Sequence, residues 1–290
     1  MPLDAETRKL LDEKHPKAEP LFEDLLMDDS NVQEIHPVIF DQIDSELIRK
    51  VALETKGAAG PSNLDANAWR RILVSKHFAK ESPDLAKAIA EFAKSLCQTK
   101  LDDLNPLEAY LACSLIPLDK DPGLRPIGIG EVLRRIVGKA ITTVLKPDLK
   151  ESVYGVQMCV SQEGGAEAAV HAMCDIFSVD SCQAVIQVDA NNAFNSINRK
   201  VLLQNVKVLC PPIANFTHNC YATPSRLFVT GGDEISSEEG TTQGDPIAMP
   251  IYAIGLDPLI RALKEVNGIK QAGFADDLSG AGSLVDLKAW

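Results

Sequence analysis

Three acidic residues are the part of the sequence best suited to chemistry. Asp189 follows the segment 183–188, which is rich in β-branched residues, so the pattern predicts a strand that ends at this carboxylate. Asp276 and Asp277 are adjacent and have strand-like residues on both sides, which predicts the tip of a β-hairpin. Taken singly, each feature has a plain structural explanation, because Asp is common in turns and at the start of helices.

The three carboxylates could bind metal ions if the fold brings them together. Neighbouring carboxylates repel, so the cluster costs stability unless a cation neutralises it. Asp189 with Asp276 and Asp277 would hold two Mg²⁺ ions about 3.5–4 Å apart, one to activate an attacking oxygen and one to stabilise a leaving pyrophosphate. Lys120 and Arg125 lie in and beside a predicted turn and could neutralise the phosphates of such a transfer, or be ordinary surface residues.

The composition is that of an acidic chain with enough apolar residues for a large core. Its 290 residues are 45% hydrophobic and carry a formal net charge of -12. This charge argues against a simple nucleic-acid-binding surface. Only the middle of the chain is basic, since residues 71–150 hold 13 Lys and Arg against 10 Asp and Glu. Carboxylates gathered around metal ions are one explanation of the acidic C-terminal part, and a solvated surface is the other.

No sequence feature predicts secretion or insertion into a membrane. The seven cysteines form no CxxC pair, which favours free thiols in a reducing compartment. The longest strongly apolar run, residues 246–256, is shorter than the roughly 20 residues that span a bilayer. The first residues lack the basic start and apolar core of a signal peptide. We therefore expect an intracellular protein of the nucleus or cytoplasm, without a membrane partner.

Apolar periodicity indicates which elements position the acids. Amphipathic helices are predicted from residue 43 onward, and their apolar stripes are interpreted as core. Strands are predicted at 111–118 and 124–129, joined by a turn that contains Pro122 and Gly123, and a further hairpin is predicted at 226–236.

Helices are also predicted around the acidic residues. One covers residues 161–177 with Ser161 as its cap, and one follows Asp189 with Asn195 or Ser196 as its cap. Another follows the polar loop, which we define as residues 240–246.

Four short motifs, in this order and at these spacings, resemble those of reverse transcriptases of the non-LTR retrotransposon type. The resemblance covers about residues 57–280. It is carried by Asp189 with Ala193 and Phe194, by Gln243-Gly244-Asp245-Pro246, by Phe274-Ala275-Asp276-Asp277, and by the hairpin 115–127, which the loop Gly60-Pro61-Ser62 precedes.

The resemblance implies an α+β fold of the right-hand polymerase type. Such a fold has helical fingers with a β-hairpin, and an antiparallel palm sheet backed by helices. Residues 43–178 would form the fingers and the start of the palm, and residues 179–290 the palm with the catalytic motifs. Residues 1–42 would be an acidic, loosely helical N-terminal extension. We expect the sequence to stop before the helical thumb that follows the palm in this family.

The resemblance also implies a role for each acid. Asp189 and Asp276 would bind two Mg²⁺ ions, with Mn²⁺ as a possible substitute, and Asp277 would be a supporting carboxylate. The backbone carbonyl of Ala190 would be a further metal ligand, and Ala190 would also belong to the nucleotide-binding residues.

The remaining motif residues would bind the nucleotide. Phe194 would close the site to a 2′-hydroxyl, and Gln243 and Gly244 would lie under the incoming nucleotide. Lys120 and Arg125 would grip its triphosphate. One departure from the family concerns Asn195, because many relatives have Asp directly after the aromatic residue. That position usually caps a helix, so we expect the change to be tolerated.

The implied activity is that of an RNA-directed DNA polymerase from a retroelement. It would join dNTPs to a primer 3′-hydroxyl, with an RNA template and a DNA primer as its partners. The sequence predicts no oligomeric state. Two alternatives remain open: an inactive remnant or co-opted interaction domain that keeps the palm fold, and an RNA-templated RNA polymerase. Phe194 argues against the second, because enzymes that build RNA need room for the 2′-hydroxyl.

Overall fold

The computed structural model describes residues 4–21, 26–153, 155–179, 181–266 and 268–290. Residues 1–3 and 22–25 of the predicted N-terminal extension therefore lie outside the described residues. The helices are α1 Ala5–Glu13, α2 Ser45–Glu54, α3 Ala66–Val74, α4 Ser82–Gln98, α5 Glu108–Leu111, α6 Val132–Val144, α7 Lys146–Ser152, α8 Gly165–Phe177, α9 Ala193–Ser196, α10 Arg199–Leu209, α11 Pro211–Tyr221, α12 Ala248–Lys264 and α13 Leu284–Ala289. The strands are β1 Cys113–Asp119, β2 Leu124–Gly130, β3 Ala184–Asp189, β4 Ser225–Val229, β5 Glu234–Ser237, β6 Lys270–Phe274 and β7 Asp277–Gly282. Short 3-10 turns occur at Pro37–Gln42, Lys76–Phe78 and Asn105–Leu107.

The strands form two sheets, and the predicted mixture of helices and largely antiparallel strands is confirmed. A three-stranded sheet has the order β3-β7-β6, and both of its pairings are antiparallel. A four-stranded sheet has the order β2-β1-β4-β5, in which only β1 and β4 are parallel. The β4–β5 hairpin belongs to the range interpreted as palm, yet it extends the sheet of the β1–β2 hairpin, which belongs to the range interpreted as fingers.

The main core is formed by helices rather than by either sheet. Most of its fully buried side chains come from α2, α4, α6, α10, α11 and α12, and they include Ile136, Phe216 and Tyr221. The stripe that the sequence predicts on α4 packs into or against this core at Leu85, Ile89, Phe92 and Leu96. A helix spaces such residues three or four positions apart, so they share one face.

The N-terminal extension packs on the four-stranded sheet instead of standing apart. Leu11 of α1 is fully buried with Leu115, Leu124 and Leu227. Beyond α1, the ammonium of Lys17 contacts Glu238 at 2.8 Å, and the backbone N–H of Glu19 donates to Glu239 at 3.0 Å. These contacts attach the extension to the segment that leads into the polar loop.

Two predicted helix caps are wrong. The helix predicted from Ser161 begins at Gly165, because Ser161 and Gly164 both have a positive φ, at 56° and 64°, which a right-handed helix does not accommodate. The helix after Asp189 is capped by Asn198 and not by Asn195 or Ser196. Those two residues end the separate short helix α9.

Among the described residues, no helix is long and apolar enough to cross a membrane. All seven cysteines are free thiols.

Candidate active site

The three acids meet at one end of the three-stranded sheet. In the antiparallel register Asp189 lies directly opposite Asp277, and Asp277 lies opposite Phe274 on the next strand. Directly opposed residues project from the same face, with Cβ atoms about 4.5–5.5 Å apart. Asp276 lies in the tight turn between β6 and β7. Both Asp189 and Asp277 are exposed, and Asp276 is half-buried.

The charges of these residues act on one another. Partial desolvation of its carboxyl, followed by the negative charges of Asp276 and Asp189, raises the pKa of Asp277, and the positive charge of Lys120 opposes that rise. Lys120 belongs to the turn of the β1–β2 hairpin, where its backbone N–H donates to Gly123 at 3.2 Å. The structure therefore brings one predicted phosphate-binding cation close enough to Asp277 to act on its carboxyl.

The partial desolvation of Asp277 and its repulsion by Asp276 and Asp189 predict that Asp277→Asn stabilises the metal-free protein. A carboxyl whose pKa is higher in the folded state favours folding below its unfolded pKa, and this contribution is lost as the pH rises through the folded pKa. At pH 7 the ionised Asp277 therefore lowers the stability of the folded protein. Replacing it with a neutral residue should raise the Tm in EDTA by about 1–2 °C. The gain should vanish near pH 3. Thermal unfolding of both proteins across this pH range measures it.

The control for this comparison is Asp121→Asn, which removes an exposed acid from the turn of the β1–β2 hairpin and should leave the Tm unchanged. Saturating Mg²⁺ should then raise the Tm of the wild-type protein more than that of Asp277→Asn, because the ion neutralises a charge that the variant lacks. A lower Tm for Asp277→Asn in EDTA would contradict the repulsion.

The hairpin tip is supported by a buried amide that the sequence does not reveal. Ala275 has a φ of +58°, a strained value for a residue with a Cβ. The Gln157 side chain accepts from the Ala275 N–H and donates to its carbonyl, both at 3.0 Å. The adjoining backbone also pairs with β6, since Gly273 donates to Val156 at 3.0 Å. A single glutamine has no distinctive spacing, so periodicity could not have identified Gln157.

The donor set suits a hard divalent cation. Carboxylate and carbonyl oxygens are the ligands that Mg²⁺ prefers, and Ala190 is exposed directly after Asp189. Across the described ranges, however, no group of three or more His, Cys, Asp or Glu side chains is arranged to hold a metal ion. The three carboxylates thus lie close together and open to solvent, and they do not enclose a metal site on all sides.

A cavity of about 520 Å³ reaches the face that carries Asp189 and Asp277. Helix α8 forms its other wall, through residues that include Ala169 and Met173. The carboxylates form its polar end, and the remaining lining is mostly apolar. The opposite face of the sheet is partly covered by Trp290, whose indole N–H donates to Gln271 at 3.1 Å.

Phe194 and Asp276 both interact with Tyr252, a residue that the sequence patterns did not identify as part of the site. The half-buried Phe194 ring stacks on Tyr252 of α12, with centroids 4.6 Å apart and planes inclined by 30°. Burial and the charge of Asp276 raise the pKa of Tyr252 to about 12. Tyr252 therefore stays neutral at physiological pH and supports the aromatic residue that was predicted as the sugar gate.

The polar loop is joined to the β1–β2 hairpin by close backbone contact. The Gly128 N–H of β2 donates to the carbonyl of Gln243 at 2.8 Å. A side chain at Gly128 would overlap Thr242, and one at Gly244, where φ is +110°, would overlap the Gly128 carbonyl. The exposed Arg125 lies on the same strand as Gly128. The loop and the strand that carries Arg125 therefore form one unit.

Asn195, which departs from the family pattern, is buried and keeps a hydrogen bond. Its amide donates to the Asn192 side chain at 3.0 Å, and Asn192 in turn donates to the Lys14 carbonyl at 2.9 Å. This hydrogen bond thus connects the segment after Asp189 to the C-terminal end of α1.

A family model described as reverse transcriptase (RNA-dependent DNA polymerase) matches residues 118–281, more than half of the chain. The matched range contains all nine residues predicted for the site. No curated protein matches the sequence.

Proposed function

Because the chain belongs to the reverse transcriptase (RNA-dependent DNA polymerase) family, we propose that it joins dNTPs to the 3′-hydroxyl of a DNA primer on an RNA template. The observation that carries the proposal is the register that sets Asp189 opposite Asp277, with Asp276 in the adjoining turn. Phosphoryl transfer needs positioned reactants and neutralised charge rather than covalent chemistry by the protein. We further propose that the chain comes from a non-LTR retroelement.

In this proposal the acids hold the metal ions. Asp189 and Asp276 would be the principal ligands of two Mg²⁺ or Mn²⁺ ions, with the Ala190 carbonyl as a further ligand and Asp277 as a supporting carboxylate. Ions held by these residues would supply charge stabilisation to the attacking and the leaving oxygens of an in-line transfer. The strand pairing keeps the carboxylates in place before any nucleotide arrives.

The remaining residues would receive the nucleotide. Lys120 and Arg125 would bind its triphosphate, and Gln243 and Gly244 would lie beneath the nucleotide. The hydrogen bond between the polar loop and β2 supports this assignment, because it fixes these two parts of the pocket relative to each other. Residues 43–178 would act as fingers and the start of the palm, and residues 179–290 as the palm.

Phe194→Val is expected to admit ribonucleotides. The smaller side chain leaves room for a 2′-hydroxyl, and a contact of this size changes discrimination by about 10- to 200-fold. The ratio of kcat/KM for UTP to that for dTTP, measured on poly(rA) primed with oligo(dT), should rise by about 10-fold or more. Phe177→Val, at the exposed end of α8, is the control and should leave the ratio unchanged. An unchanged ratio in Phe194→Val would remove Phe194 from this role.

Primer extension on the same template tests the function itself. The proposal expects incorporation of dTTP that depends on Mg²⁺ or Mn²⁺ and stops in EDTA. Preferential incorporation of UTP would instead assign an RNA-templated RNA polymerase. Absence of both extension and metal-dependent nucleotide binding would favour the alternative of an inactive remnant or a co-opted interaction domain that keeps the palm fold.

A further inference from the structure

Four buried side chains form a cluster beneath the polar loop, and we call Arg134, Arg199, Tyr221 and Asp245 the arginine–tyrosine cluster. Tyr221 is fully buried at its centre. The guanidinium carbons of Arg134 and Arg199 lie 5.5 and 5.6 Å from the centroid of its ring, a distance at which a cation is attracted to an aromatic ring. The residues come from α6, α10, α11 and the loop itself.

Asp245 anchors the far end of the polar loop. One of its oxygens accepts from the Tyr221 hydroxyl at 2.8 Å and also from Arg134, and the other accepts from the Ile247 N–H at 3.1 Å. The Tyr221 oxygen in turn accepts from the N–H of Thr242 at 3.4 Å. One phenol oxygen thus connects two positions of the loop that flank Gln243 and Gly244.

Arg199 anchors the near end of the loop. Its guanidinium donates to the carbonyls of Ser237 and Glu239, both at 2.7 Å, and to that of Gly240 at 3.0 Å. Directly beyond, the Thr241 N–H donates to the carbonyl of Phe194 at 2.6 Å. The loop is therefore fixed at both ends, and its near end is also fixed to the predicted sugar gate.

The protonation states keep these contacts intact at neutral pH. Burial and the charge of Asp245 raise the pKa of Tyr221 well above its usual range, so the phenol retains the proton that it donates. Burial lowers the pKa of Arg199 to about 10, which still leaves the guanidinium charged. Buried ion pairs contribute little net stability compared with well-packed apolar residues, and fixing one conformation is a better attested use for them.

We propose that the arginine–tyrosine cluster is a positioning network with Tyr221 as its central residue. The network holds Gln243 and Gly244 in position beneath the incoming nucleotide. This inference rests on the proposed function. None of the four side chains lies among the residues assigned to contact the nucleotide, so each acts through the polar loop. Loosening the cluster should weaken nucleotide binding and leave the binding of the RNA–DNA duplex unchanged.

Tyr221→Phe tests the network, because it removes one oxygen and keeps the ring that lies close to both arginines. Because the lost hydrogen bond is to a charged group, the Kd of dTTP should rise by about 10-fold or more. The measurement is titration of dTTP with Mg²⁺ into the protein bound to poly(rA) and a dideoxy-terminated oligo(dT) primer. Steady-state extension should show a higher KM for dTTP and a kcat within about twofold of wild type.

Tyr110→Phe is a matched control. It also removes one buried phenol oxygen, but that oxygen has no hydrogen-bond partner among the residues that the structure describes. The Kd of dTTP should therefore equal that of the wild-type protein. Asp245→Asn is a second, stronger variant, because it weakens the contacts of both Arg134 and Tyr221, and its Kd should rise by more than that of Tyr221→Phe.

The outcomes separate this inference from the proposed function. If wild-type protein binds dTTP and Tyr221→Phe binds it as tightly as Tyr110→Phe does, the network has no positioning role. An equal weakening of dTTP and duplex binding, together with a lower Tm, would show a role in folding only and would also overturn the inference. If the wild-type protein binds no dTTP on the primed template, the proposed function itself fails and the inference falls with it.

Discussion

Asp189→Asn is expected to reduce dTTP incorporation on primed poly(rA) by at least about 1,000-fold. A metal ion contributes several kcal/mol of charge stabilisation in phosphoryl transfer, and about 4 kcal/mol corresponds to this factor. Asparagine has nearly the same shape as aspartate but carries no charge, so it is a much poorer ligand for Mg²⁺. Asp276→Asn should have a comparable effect, because its carboxylate would bind the same pair of ions.

The fold should survive these substitutions, which makes the loss of activity interpretable. Asp189 is exposed at the end of β3, and its pairing with Asp277 uses backbone groups only. Removing one of three mutually repelling charges should keep the Tm equal to or above that of the wild-type protein. Asp175→Asn, on the exposed side of α8, controls for the loss of one negative charge. Incorporation within tenfold of the control would show that Asp189 is not a metal ligand.

The arrangement of the acids follows from patterns that a sequence displays directly. A strand alternates its side chains with a period of two, and a tight turn forces the strands on either side of it to pair. The β-branched segment before Asp189 therefore predicts one strand, and the short acidic turn at Asp276 predicts a hairpin. Only their mutual register required the structure, which sets Asp189 against Asp277.

The arginine–tyrosine cluster was beyond the reach of the same reasoning. Arg134 lies within an apolar helical stripe between Val132 and Ile136, and periodicity identifies such a stripe only as core. Its partner Asp245 is 111 residues further along the chain. One signal was present, since a charged residue inside an apolar stripe is rarely buried without a partner. The pattern could not identify that partner.

The docking of the N-terminal helix was missed for a related reason. Its acidic, proline-broken composition predicts weak local structure, and composition carries no information about distant contacts. Leu11 is nevertheless fully buried against the four-stranded sheet. Tertiary packing thus overrides local tendency here, as it does for many short helices.

The structure links parts of the site that family motifs treat separately. The polar loop donates to the carbonyl of Phe194 through Thr241 and accepts from β2 through Gln243. One set of backbone hydrogen bonds therefore connects Phe194, the polar loop and β2, the strand that carries Arg125. A disturbance at one point of this set should affect the whole pocket.

Gly240→Ala should produce such a disturbance. Gly240 has a φ of +63°, and a Cβ there would overlap the Phe194 carbonyl and the backbone of Asn195. Overpacking costs about 1–3 kcal/mol, and a positive φ costs about 1–2 kcal/mol more. Because these atoms are backbone, the loop must move to relieve the overlap. A displacement of about 1 Å in a positioning element lowers turnover by about 100-fold, so we expect a loss of this size in dTTP incorporation.

Gly232→Ala separates the overlap from the backbone strain. Gly232 has a φ of +97°, less favourable for alanine than that of Gly240, but a Cβ there would meet no atom within 4 Å. Its variant should lose stability in urea unfolding and retain incorporation near the wild-type level. If Gly240→Ala behaves in the same way, the loop tolerates displacement, and its contact with Phe194 does not position the pocket. A loss of incorporation in Gly240→Ala alone would show that the pocket depends on this backbone contact.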